Sequence, residues 1–138
     1  MTWSALSGLI VAKIQGLSGV PSGNVFNYEQ SPFTTYPAIT VTPSDNTADF
    51  ADTSRNYVRY TFNIRIYQER IEYGAQNAET TLMSLVDNVI AGFNADPTLG
   101  GALINGYAKP IPSVWVYTGS PDAQIRMAEV KYLTWFVQ

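Results

Sequence analysis

The order of hydrophobic periods along this chain predicts an α+β fold, with two helices packed on one face of an antiparallel sheet whose strands differ in length. The element order is α-β-β-β-α-β-β. Three observations carry this reading. Apolar residues near the N-terminus recur at three- and four-residue steps, a central run alternates strictly between apolar and polar, and a second helical stripe precedes two further alternating runs.

The first element is a helix whose stripe is Trp3, Leu6, Leu9, Ile10, Ile14 and Leu17, ended by Gly16, Gly19, Pro21 and Gly23. A short strand is expected over residues 25–29 and a better one over 37–42, where Ile39 and Val41 face one way and Ala38, Thr40 and Thr42 the other. Residues 43–56 are rich in Ser, Asp, Asn and Thr, with Phe50 the single large apolar residue. That composition predicts a long loop between strands, mobile until it orders against a partner.

Val58, Tyr60, Phe62, Ile64 and Ile66 then alternate with Tyr57, Arg59, Thr61, Asn63, Arg65 and Tyr67, so one face of this strand is core and the other wet or bound. A strand over residues 57–69 measures roughly 43 Å at about 3.3 Å per residue, against a diameter of roughly 37 Å for a compact chain of this length. The strand is therefore expected to coil strongly or to protrude, and a protruding strand needs a partner for its backbone.

After Gly74 the period becomes helical, with Ala78, Leu82, Leu85, Val86, Val89, Ile90 and Phe93 as the stripe, Asn77 as the expected cap and Glu79 as an acid in the first turn. Asp96-Pro97 stops this helix, because proline has no amide donor and disfavours helical geometry at the preceding residue. Residues 111–117 and 124–137 read as two strands joined by turn chemistry at Thr118, Gly119, Ser120, Pro121 and Asp122, hence a hairpin. In the last strand Ala128, Val130 and Tyr132 oppose Glu129 and Lys131, and residues 133–137 are expected to be buried on both sides.

Composition narrows the function. At 138 residues and 46% hydrophobic content, the chain fits one domain with a substantial core. It has no Cys and no His, which removes disulfides, Cys/His zinc sites, thiol nucleophiles and the commonest general base. A net charge of −3 with eight scattered basic residues argues against a protein built to neutralise phosphates. No run approaches the roughly 20 apolar residues that span a bilayer, and Lys13 interrupts the first apolar run, so the protein is expected to be soluble and intracellular when made. There is no phosphate-cradling glycine loop and no Ser-centred elbow, so no enzyme and no cofactor is expected.

The helix through Leu82, Leu85, Val86, Val89 and Phe93, the breaker Asp96-Pro97-Thr98-Leu99-Gly100-Gly101, and the final strand with Arg126-Met127-Ala128-Glu129-Val130 together resemble the tail-terminator and tail-completion (minor tail protein U-like) family of tailed phages and gene transfer agents. The resemblance implies a structural virion protein at the tail-neck junction, assembled in the host cytoplasm as a homo-oligomeric ring, commonly a hexamer. It implies the tail tube protein and a head-completion or connector protein as partners, DNA passing through the lumen without specific binding, and no membrane. A tail-completion or head-tail connector protein of the same fold, and a single-stranded nucleic-acid-binding module, remain open alternatives.

The candidate interface residues are Asp45, Asp49, Phe50, Asp52 and Arg55 in the polar stretch, and Tyr57, Arg59, Arg65 and Tyr67 on the outward face of the central strand. The three aspartates suit a solvated loop better than a cation site, since Thr47 and Phe50 stand where a calcium loop wants an oxygen ligand and a glycine. The mixture of aromatics and cations on the strand suits a subunit interface or an ordinary wet sheet face better than a nucleic-acid platform, given the acidic chain. Trp3, Trp115 and Trp135 are expected as core or interface anchors.

Overall fold

A computed structural model describes residues 2–29, 33–50, 56–70, 74–118 and 125–138, and of residues 46–50 and 118 the backbone alone. Helix α1 (Trp3–Gln15) starts at Thr2, whose Oγ1 accepts the Ala5 N–H at 3.1 Å and so satisfies one orphan donor of the first turn. Leu6, Ile10 and Ile14 are fully buried, while Leu9 is 39% exposed, so the stripe is narrower than expected. A turn of 3-10 helix at Ser22–Asn24 leads into β1 (Val25–Phe26).

Strand β2 (Ala38–Phe50) takes up residues 43–50 of the expected mobile loop and pairs antiparallel with β3 (Asn56–Glu69), as far as Phe50 opposite Asn56; residues 51–55 of that loop lie outside the described residues. The polar composition of residues 43–50 does not prevent strand formation, because backbone pairing with β3 outweighs it. A register shift between Pro43 and Asp45 absorbs the proline.

Helix α2 (Ala75–Asn94) begins one turn earlier than expected, at Gly74 with φ +80° and no side-chain cap, so Asn77 lies inside the helix. Ala78, Leu82, Leu85, Val86, Val89 and Phe93 are buried, and Ile90 is partly so. Strand β4 (Tyr107–Thr118) and β5 (Ile125–Val137) form the expected antiparallel hairpin; the turn residues between them, with Gln124, lie outside the described residues.

The sheet order is β1-β2-β3-β5-β4. It is mixed rather than purely antiparallel, because β1 joins β2 in parallel. Both helices pack on one face, where side chains from α1, α2 and the sheet form a single apolar cluster with Phe62, Phe93 and Tyr132 among its largest members. At about 1.5 to 3 kcal/mol per buried apolar side chain, this layer dominates the driving force.

Two expectations change here. Strand β3 does not protrude: it is the middle strand, with β2 on one side and β5 on the other, so its length is spent inside the sheet. At the end of β5, burial alternates, with Thr134 and Phe136 buried and Leu133, Trp135 and Val137 only half-buried, because the second face carries no helix. No described helix is long and apolar enough to cross a membrane.

Candidate interaction surface

The face without helices is built from cross-strand rows. One runs Ala38, Tyr67, Met127, Val116; the next Thr40, Arg65, Glu129, Val114; another Thr42, Asn63, Lys131, Ile111; and near the other end Thr47, Arg59, Trp135, Tyr107. These residues alternate with the core positions, so the register decides which of them meet.

The face divides into two parts. In the first, Ala38, Tyr67 and Met127 bury themselves against Phe33 as a second, smaller apolar cluster. Beside it lies a polar network centred on Arg65. Its Nε donates to Glu129 Oε1 at 3.0 Å and its Nη1 to Glu29 Oε1 at 3.2 Å. Glu29 also accepts from Thr40 Oγ1 at 2.8 Å and from the Tyr67 hydroxyl at 2.9 Å, and Ser113 Oγ reaches the other oxygen of Glu129. Burial lowers the Arg65 pKa, but the bond to Glu129 and the charges of Glu29 and Glu129 outweigh it and hold the guanidinium charged. Burial first, then the bond to Glu29 and its charge, push the Tyr67 hydroxyl up to about 12.

The second part is more open. Tyr107 stacks on Trp135 with ring centroids 4.9 Å apart, Arg59 lies in their row, and Lys131 donates to Asn63 Oδ1 at 3.2 Å. Tyr107 and Ile111 are both exposed.

Of the sequence-derived candidates, Asp45 is exposed on β2 opposite Thr61, and Tyr57 and Arg59 are half-buried on the open part. Asp49 and Phe50 lie on β2 opposite Tyr57 and Asn56, with their side chains undescribed; Asp52 and Arg55 lie outside the described residues. Arg65 and Tyr67 join the network. Among the described residues, no three acids converge to hold a metal.

The outer edges matter as much as the face. Val137 N–H donates to Ile104 C=O at 2.9 Å, and Gln138 exchanges bonds with Asn56, so even residues of β5 turn towards β3 and odd ones towards β4. On β4, Ala108 N–H points away from β5 and donates to Pro97 C=O at 2.7 Å. By the same alternation Pro110 and Pro112 face outwards, where neither has an N–H to offer. Residues 108–112 therefore present no free donor. The register shift between Pro112 and Val114 moves the alternation by one, so that Trp115 and Tyr117 turn their backbone outwards.

That open half is rich in aromatic groups. Trp115 is 38% and Tyr117 48% exposed. The Arg126 guanidinium lies 4.5 Å from the Tyr117 ring and 5.9 Å from that of Trp115, held from behind by Glu79, and Arg70 lies 5.0 Å from Tyr117.

Sequence reading alone did not place Glu29, Glu129, Ser113 and Arg126 among the candidate interface residues, because their pairing depends on register. The clue available was Arg65 and Glu129 on outward positions of two alternating strands. The breaker, by contrast, gains a second role. Leu99, at φ +52° and buried, plugs the core together with Leu103, while Asp96 Oδ1 accepts the Gly100 N–H at 2.8 Å. This fold places Pro97 against the β4 edge.

No family model matches the chain, and no curated protein matches it by sequence. Among solved structures it is similar to a chain in the virion of a native gene transfer agent particle, at 10% identity and a TM-score of 0.60, over 96% of this chain and 95% of that one. That likeness is one of fold, and it extends over the whole element order.

Proposed function

We propose that this chain is a non-enzymatic structural protein of a virion, and within that class a tail terminator that closes into a ring between tail tube and neck. The observation that carries the reading is the near end-to-end fold likeness to a chain of a gene transfer agent virion. The surface supports it. The chain lacks Cys and His, Arg65 and Glu129 on the open face are spent on an internal network, and among the described residues five exposed large hydrophobic side chains, Tyr107, Ile111, Val114, Trp115 and Tyr117, share edge strand β4. Cyclic, heterologous association would make geometry the output: one patch of each copy meets a different patch of the next, and closure ends growth.

Electron microscopy of the purified protein, with and without tube protein from the same particle, should give closed rings in at least one condition. Particles lacking this chain that still carry tails of normal length joined to filled heads would sink the reading. A tail-completion or connector role on the same fold is separated by pulldown with tube protein against portal. The Arg59, Trp135 and Tyr107 row supports a second class of reading, a single-strand platform. It predicts salt-dependent binding of single strands, and the absence of binding at low salt removes it.

A further inference from the structure

Register carries two neighbouring rows across all five strands: Val25, Ile39, Ile66, Ala128, Trp115, and Phe26, Thr40, Arg65, Glu129, Val114. Of the two, the first ends on outward-facing backbone at both edges. Ile39 lies on the outward alternation of β2, so its N–H and C=O serve β1, and Val25 opposite it must turn its own backbone away from the sheet. At the other edge Trp115 turns outwards too. A row through Thr47 and Tyr107, by contrast, ends on the sealed half of β4.

We infer that copies of this chain join edge to edge, with the open half of β4 around Trp115 receiving β1 of the next copy as an antiparallel neighbour. The inference rests on the ring reading. In a ring whose axis runs along the strands, every copy keeps its strand directions. Strands β2, β3, β5 and β4 alternate in direction and β1 runs with β2, so a neighbour's β1 arrives antiparallel to β4. At equal height the neighbour's Val25 stands opposite Trp115, both with outward N–H and C=O, which is the hydrogen-bonded arrangement.

Side chains agree with this register. Tyr28, 53% exposed, flanks one edge, and Ile111, Val114 and Trp115 are exposed on the other. The sealed stretch 108–112 stops the pairing from sliding, since a shifted partner would meet prolines.

The chain has no cysteine, which makes the test clean. The double variant Asn27→Cys with Ser113→Cys should give a ladder of covalent multimers on mild oxidation, and the control pair Ser4→Cys with Ser113→Cys should give none. Trp115→Pro removes an N–H that the β4–β5 pairing does not use, so rings should be lost while the monomer still folds. Trp115→Phe, which keeps that N–H, should retain them. Rings that survive Trp115→Pro and yield no ladder overturn this pairing and leave the ring reading standing. An unmodified chain that stays monomeric even with tube protein overturns both.

Discussion

The two faces of the sheet are held together by different means. The covered face is a continuous apolar layer, sealed by α1 and α2, in which Trp3 stacks flat on Tyr60 at 4.3 Å and Phe93 meets Tyr132 at 4.2 Å. The open face relies on a small apolar cluster and on charges that find partners across strands. Burial on the first is tolerant of composition and depends on volume. Order on the second depends on register, because Arg65, Glu129 and Glu29 meet only if β3, β5 and β2 align as they do.

The largest effect should come from a residue that supports both faces. A Cβ on Gly106 would fall on the backbone of Trp135 and Phe136, so Gly106→Ala must displace the start of β4 from β5. We expect a loss of about 3 kcal/mol or more, read as a drop in the denaturant midpoint, with insoluble protein as the extreme case. A change near 0.5 kcal/mol would mean that the loop from Leu103 to Gly106 can move freely.

Phe93→Ala breaks the covered face by removing a fully buried ring from the Tyr132 contact, at a cost of about 3 to 5 kcal/mol. Glu129→Gln perturbs the open face instead. Glu129 is 9% exposed and accepts from both Arg65 and Ser113, so the loss should be about 1 to 3 kcal/mol in equilibrium unfolding. If the two substitutions cost the same, the contrast between the faces fails.

The smallest effect is one of pH. The Tyr67 hydroxyl titrates near 10 in the unfolded chain and at about 12 in the folded one. Its contribution is therefore complete below pH 10 and disappears as the pH rises towards 12, where the unfolded chain loses its proton first. Tyr132 moves in the same direction, through burial and the charge of Asp96. Stability measured between pH 9 and 12 should fall, and Tyr67→Phe should make that fall shallower; an unchanged slope would detach Tyr67 from the network.

Much of the covered face was legible from periodicity, because each helix and strand there reports its own burial through its own spacing. The stripes of α1 and α2, the core side of β3 and the β4–β5 hairpin all read locally. The remainder was not local. The second half of β2 looks like loop because its residues are polar and its pairing is made by backbone. The parallel entry of β1 is set by two residues, too few to carry a period. The candidate surface was legible in its residue types, with Arg59, Arg65, Tyr57 and Tyr67 all outward on β3. The neutralisation of Arg65 was hidden, since Glu129 lies 64 residues away. The sealing of β4 was hidden too, although Pro110 and Pro112 stand in plain view, because the direction of a backbone N–H cannot be read from composition.

The middle of the sheet is also its most distant pairing along the chain. Tyr57 meets Val137, and Thr134 bonds to the Tyr60 carbonyl 74 residues earlier. Contacts of such separation slow folding, since the closure entropy of the intervening chain precedes any gain. During synthesis the β2–β3 pair therefore waits with a bare flank at Phe62, Ile64 and Ile66 until β5 leaves the ribosome.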